Sequence, residues 1–227
     1  CNVTALFGHR PRLKTPQQIT SELNRIYASG WRSSIFFVDD NFIGNKGYLK
    51  KQLLPALIEW RKDKKGCVFF TEASINLADD PELLDMMVTA GFDSVFIGIE
   101  SPDEVSLAEC HKTQNKNRDL LESVAIIHRS GLQVMGGFIV GFDSDRPSIF
   151  QRQIDFIQKS GIVTAMVGML QAPPGTRLFD RLQRESRVIN TFSGDNVDGT
   201  TNIIPRMGID RLLDGYQSIM KQIYSPK

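Results

Sequence analysis

Val134-Met135-Gly136-Gly137-Phe138-Ile139-Val140-Gly141-Phe142-Asp143 is the stretch whose reading decides the fold. It is too short and too rich in glycine for a helix, and it reads as a buried strand. Side chains alternate across a strand, so Gly137, Ile139 and Gly141 share one face, and two of the three carry no side chain. Glycine weakens a strand unless another group must approach the backbone closely. One reading of the bare face is a wall for a flat ligand. The other is a barrel strand whose glycines make room for bulky neighbours.

Working outward, a helix carrying Leu120, Leu121, Val124, Ile127 and His128 closes at Gly131, just before this strand. The helix after it carries Ile149, Phe150, Ile154 and Ile157, stops at Gly161 and gives way to a strand over 162–170. The same unit recurs upstream. Thr15-Pro16-Gln17-Gln18 offers an N-cap hydroxyl, a proline at the first helical position and a capping-box glutamine. That helix runs through Ile19, Leu23, Ile26 and Tyr27 to Gly30, before a strand at 35–38. A second, near 48–62, contains Pro55, which is predicted to bend it or shorten its first part. Gly66 ends it before a strand at 67–71. A third starts at Asp80-Pro81, closes at Gly91 and precedes a strand at 94–99.

Five helices thus end in glycine, which takes the left-handed conformation of a compact helix-to-strand turn. Strands alternating with helices imply an α/β fold of parallel strands joined by right-handed crossovers. An open or closed (β/α) barrel suits the pattern better than a sandwich or bundle, with a flat doubly wound sheet as its competitor. Beyond Gly175 the rhythm breaks into a short polar helix at 177–187, a loop at 190–198 and an amphipathic helix near 209–224. That last helix either covers an open barrel edge or begins another domain.

The 227 residues suit one large domain, and 41% apolar residues supply a sizeable core. A net charge of +1 provides no basic field for nucleic acid. No apolar run approaches the roughly 18 residues of a membrane span, and no signal peptide is seen. Three widely spaced cysteines point to a reducing compartment, and the chain is expected to be cytoplasmic. It opens on Cys1 rather than methionine, which suggests a fragment of a longer protein.

Active sites of parallel α/β barrels gather at the C-terminal ends of the strands. Those ends hold Asp39, Asp40 and Asn41; Glu72; Glu100 and Ser101; Asp143; and Gln171. They read as a ring of hydrogen-bond acceptors around one mouth. Helix capping competes for such residues, and it fits Asp143 best. Cys67 reads as a small core residue, Cys110-His111 lacks supporting ligands, and His128 is expected to face solvent. There is no intact zinc spacing, phosphate loop or Ser-His-Asp arrangement.

Several of these segments together resemble the radical S-adenosylmethionine enzymes, in particular the subfamily with a cobalamin-binding domain. Cys1-Asn2-Val3-Thr4-Ala5-Leu6-Phe7-Gly8 is similar to the third cysteine of the family's CxxxCxxC loop and the short run after it. Asp39-Asp40-Asn41-Phe42 is similar to the motif after its second strand, and Gly98-Ile99-Glu100-Ser101 resembles the end of its fourth. Gly137-Phe138-Ile139-Val140-Gly141 resembles its GxIxG pattern on the fifth, and Ala172-Pro173-Pro174-Gly175-Thr176 resembles the loop after the sixth. Gly215-Tyr216 and Ile223-Tyr224-Ser225-Pro226 resemble the C-terminal region of the cobalamin subfamily.

The resemblance implies a partial TIM-like (β/α) barrel at 1–176, lacking its first strand, and a C-terminal helical extension at 177–227. It implies a 4Fe-4S cluster with Cys1 as one of three thiolate ligands, the other two lying three and seven residues upstream in a longer protein. Reductive cleavage of S-adenosylmethionine to a 5'-deoxyadenosyl radical would act on an unknown small-molecule substrate, with cobalamin-dependent methyl transfer as one outcome. Cobalamin would be held by a domain outside the chain, and the electron donor would be a flavodoxin or ferredoxin. Asp39, Asp40 and Asn41 would lie near the methionine amino group and Glu100 at the ribose. Gly137, Ile139 and Gly141 would form the adenine wall, with Gln171 on its far side. Lys112 is a weaker candidate for the methionine carboxylate, against a solvated lysine. Two other functions fit the residues: a divalent-metal barrel lyase or hydrolase using Asp39, Asp40, Glu72 and Glu100, and a non-catalytic ligand- or partner-binding module.

Overall fold

In a computed structural model of the chain, the residues described are Gly8, 12–195 and 197–225. Five strands form one sheet in the order β1-β2-β3-β4-β5: Ser34–Phe37, Val68–Ala73, Phe92–Glu100, Gln133–Val140 and Thr164–Met169. Helices lie between consecutive strands, the crossover arrangement of a parallel sheet. Among the described residues the chain divides into two compact units, 12–97 with 122–135 and 98–121 with 136–225. Strands β3 and β4 begin in the first and end in the second.

The first unit starts with α1 (Pro16–Ala28), whose Thr15 and Gln18 form the expected reciprocal capping box. Strand β1 pairs parallel with β2, Ser34 opposite Val68 and Phe37 opposite Thr71, and β2 pairs parallel with β3. An aromatic core of Phe37, Phe42, Phe69 and Phe92 fills the space beside them, with ring centroids 5.1 to 5.8 Å apart. Pro55 shortens the α-helix expected near 48–62, which begins only at Leu54. A π-helical turn, Leu49–Leu53, precedes α2 (Leu54–Arg61), so the proline falls in the first turn of a fresh α-helix where its missing N–H costs nothing. Next come α3 (Pro81–Ala90), capped by the Asp80 side chain, and the helix joining β3 to β4 within 120–129. The glycines expected to end the five helices, Gly30, Gly66, Gly91, Gly131 and Gly161, all have positive φ.

In the second unit, a short helix absent from the sequence reading, α4 (Glu104–Glu109), follows β3. Asp103 caps it by accepting from the Val105 and Ser106 N–H groups. With the β3-to-β4 helix designated α5, the remaining helices are α6 (Ile149–Ser160), α7 (Arg177–Arg184, capped by Thr176) and α8 (Ile209–Ile223). Between the last two, Val188 and Ile203 make an antiparallel bridge. Ile203 joins Phe142, Leu170, Ala172 and Leu182 in a small buried core where β4 and β5 end.

Candidate functional site

In the first unit, the ends of the strands present Asp39, Asp40 and Asn41 in an exposed loop. Partial burial raises the pKa of Asp39, the charge of Asp40 adds to the rise, and Lys14 opposes it. Asn41 is already engaged. Its Oδ1 accepts from the Ser74 N–H at 3.1 Å and the Ser74 hydroxyl at 3.2 Å, tying the loop after β1 to the loop after β2.

In the second unit the feature with the most chemical content is Glu100, the last residue of β3. Its φ is +64°, a left-handed conformation that non-glycine residues resist at about 1–3 kcal/mol. The Ser101 N–H donates to the Ile99 carbonyl at 2.9 Å, closing a three-residue turn around Glu100. The Glu100 carboxylate folds back to accept from Lys112 Nζ at 2.8 Å. Lys112 is therefore not the solvated lysine of the sequence reading. Gly98 makes room for the pair, since a Cβ there would lie 2.6 Å from Glu100 Oε1 and 2.9 Å from Lys112 Nζ. Asn115 and Gln153, both fully buried, hold the surrounding carbonyls.

Strand β4 occupies the expected stretch. Its Phe138 face packs toward α6, with the Phe138 and Phe156 rings 5.9 Å apart. Gly137 and Ile139 therefore lie on the opposite face, with Gly137 buried and Ile139 half-buried. Gly141 leaves that face. The strand ends at Val140, Gly141 turns with φ of +106°, and a Cβ on it would lie 3.1 Å from Leu212 of α8. Its N–H and that of Phe142 donate to Asp145 Oδ2, while the Ser106 hydroxyl donates to Oδ1. Burial outweighs these donors and pushes the Asp145 carboxyl up to about 6.

That value carries a pH prediction. The folded pKa of about 6 exceeds the ordinary 3.8, so the folded state holds the extra proton between the two. The resulting stabilisation is complete below pH 3.8 and lost as pH rises through about 6. Thermal melts of the protein against Asp145→Asn should show a difference that changes between pH 4 and 7. A difference independent of pH across that window contradicts the shifted carboxyl.

Asp143 is not the helix cap expected from its position. Helix α6 begins six residues later, after Ser148, and Asp143 instead accepts from Arg187 at 2.5 Å and Arg181 at 2.6 Å. Arg206 Nε lies 3.6 Å away. The two nearer guanidiniums hold its carboxyl down at about 2 against the opposing effect of burial. Glu109 accepts from the Asp143 and Ser144 N–H groups, completing the clamp on the loop after β4. The Gln171 side chain donates to the Asp195 carbonyl at 2.8 Å and to Ser193, so it braces the following loop and leaves its backbone as its means of contact.

Cys1 lies outside the described residues. Cys67 is fully buried, and its thiol donates to the Trp31 carbonyl. The Cys110 thiol is half-buried and held above its ordinary pKa by burial, with Glu100 adding to the effect and Lys112 opposing it. His128 is half-buried, and burial lowers its pKa. Among the described residues no three His, Cys, Asp or Glu side chains group as a metal site, so the divalent-ion alternative finds no ligand set. Among them no helix is long and apolar enough to cross a membrane.

Comparison with known proteins returns a family model described as the radical SAM superfamily, matching residues 1–172. A second, described as a domain of unknown function (DUF4070), matches 176–227. An uncharacterized methyltransferase of Synechocystis is 43% identical over 100% of the chain and 42% of its own length. The hopanoid C-2 methylase of Rhodopseudomonas palustris is 39% identical over the same shares. The chain thus spans about two-fifths of the length of these curated relatives. Among solved structures, the radical S-adenosylmethionine methyltransferase TsrM from Kitasatospora setae, with cobalamin and a [4Fe-4S] cluster bound, superposes with a TM-score of 0.65. The match has 16% identity and covers 82% of this chain and 34% of that one.

Proposed function

Because the chain belongs to the radical S-adenosylmethionine superfamily, we propose that it forms the S-adenosylmethionine-binding core of a cobalamin-dependent methyltransferase. The names of the two curated relatives support methyl transfer, and that of the second supports a hopanoid among the small-molecule substrates. A flavodoxin or ferredoxin is the proposed electron donor. When bound to a reduced cluster, S-adenosylmethionine supplies an adenosyl radical or a methyl group for transfer.

The observation that carries the reading is Glu100, a carboxylate held in a left-handed turn at a strand end. Strained non-glycine residues concentrate at ligand sites because the surrounding structure must over-determine them. Lys112 meets Oε1, and Oε2 is the acceptor offered to a ribose hydroxyl. Ile139 and the bare Gly137 then line the adenine on the neighbouring strand β4, with the backbone of Gln171 beyond it. Gly141 sets the turn that ends β4. Cys1 is proposed as one cluster ligand.

Glu100→Gln in the full-length protein tests this. It exchanges a charge-assisted hydrogen bond, worth about 1.5–3 kcal/mol, for a neutral one. S-adenosylmethionine binding by equilibrium dialysis should weaken about 10-fold or more. Unchanged affinity in a variant of unchanged melting temperature removes Glu100 from the site.

A further inference from the structure

Resting on the reading that Glu100 receives the ribose hydroxyls, we infer that Asn115 and Gln153 are positioning residues that hold Glu100 in its left-handed turn and set the angle of its carboxylate. Three successive carbonyls end β3, and two side-chain amides take all of them. Asn115 Nδ2 donates to the Gly98 carbonyl at 3.0 Å and the Ile99 carbonyl at 2.8 Å. Gln153 Nε2 reaches the Glu100 carbonyl at 3.5 Å and donates to the Ile139 carbonyl at 2.8 Å. The second amide therefore joins the end of β3 to β4, the strand proposed to border the adenine.

Both amides are 0% exposed. Each leaves its own carbonyl oxygen, Asn115 Oδ1 and Gln153 Oε1, buried with no partner among the described residues. A buried acceptor without a donor is unfavourable, and such groups are rare in folded proteins. Leucine and methionine match these side chains in size and carry no such oxygen. Packing alone therefore does not explain the amides, and their donors do. The N–H groups of Asn115 and Gln153 meet the carbonyls on either side of the turn at Glu100. A ligand diol is recognised well only when its acceptor is fixed within a fraction of an ångström, which is what such supporting bonds provide.

The test compares S-adenosylmethionine with its 2'-deoxyadenosyl analogue on the full-length, cluster-loaded protein, by equilibrium dialysis alongside thermal melts. Gln153→Met removes one pair of donors, and Asn115→Leu removes the other and serves where the first fails to fold. Each variant should bind S-adenosylmethionine about 3- to 10-fold more weakly while its affinity for the deoxy analogue stays constant, so the preference for the hydroxyl shrinks. In a Glu100→Gln background the same substitutions should change neither affinity. Equal loss for both ligands, or no loss for either, overturns the positioning role. If Glu100→Gln leaves the preference unmoved, the ribose reading itself fails. If Glu100→Gln moves it and the amide variants do not, only the positioning role fails.

Discussion

Replacing Asp143 with alanine is expected to destabilise the protein by about 3 kcal/mol at neutral pH, the lower end of the cost of breaking a buried ion pair. The carboxylate is 10% exposed and Arg187 14% exposed, so neither is well compensated by water. Without Asp143, Arg187 keeps Glu185 at 2.9 Å, and Arg181 keeps Glu185 at 3.4 Å and Glu109 at 3.8 Å. Those residual partners place the cost at the lower end. The consequence spreads because Arg187 Nε also donates to the Ile204 carbonyl, fixing the pairing of Val188 with Ile203 over the small core at the ends of β4 and β5.

For a chain of this size a loss of about 3 kcal/mol corresponds to a fall in Tm of roughly 6–12 °C. The pH dependence identifies the cause. The folded pKa of about 2 lies below the ordinary 3.8, so the contribution is complete above 3.8 and lost as pH falls through about 2. That shift corresponds to about 2 kcal/mol, most of the expected loss. Melts of the protein and of Asp143→Ala should converge on acidification below pH 4. A gap that persists unchanged at pH 2.5, or no gap at pH 7, contradicts the ion-pair account.

The alternation of helix, glycine and strand was legible because each signal is local. A left-handed glycine such as Gly91 or Gly161 ends a helix through its own backbone, whatever surrounds it. Asp143 was misread for the converse reason. Its partners Arg181, Arg187 and Arg206 lie 38, 44 and 63 residues further on, and no local pattern brings them back. Helix α4 was missed because six residues are too few for periodicity, although Asp103 followed by Glu104 was a readable start. The turn at Glu100 has no sequence signature, since a left-handed glutamate is held by its neighbours and not by its own preference. Gln153 could have been found. It falls between Phe150 and Ile157 on the apolar stripe of α6, where a polar residue must meet a buried partner.

Gly215→Leu is the other substitution expected to have a large effect, and it acts through shape alone. Gly215 is a buried position in α8, and a Cβ built on it would overlap the ring of Phe150, itself a buried residue of α6. The aromatic ring thus packs directly on the helix backbone, which only glycine permits. Alanine would gain roughly 1 kcal/mol of helix propensity, offsetting part of the overlap. Leucine adds three more carbons against the ring, and overpacking of this kind costs about 1–3 kcal/mol. The ring of Phe150 must then give way along the contact of α6 with α8.

The diagnostic measurement is a double-mutant cycle. Phe150→Ala alone should also destabilise, by a few kcal/mol, because it leaves a void over the bare backbone. The combination Phe150→Ala with Gly215→Leu places the new side chain in the space that the ring vacates. Its loss should therefore be smaller than the sum of the two single losses by more than about 1 kcal/mol. Strict additivity in denaturant melts means that ring and glycine do not touch, and the close approach of α6 and α8 is then wrong.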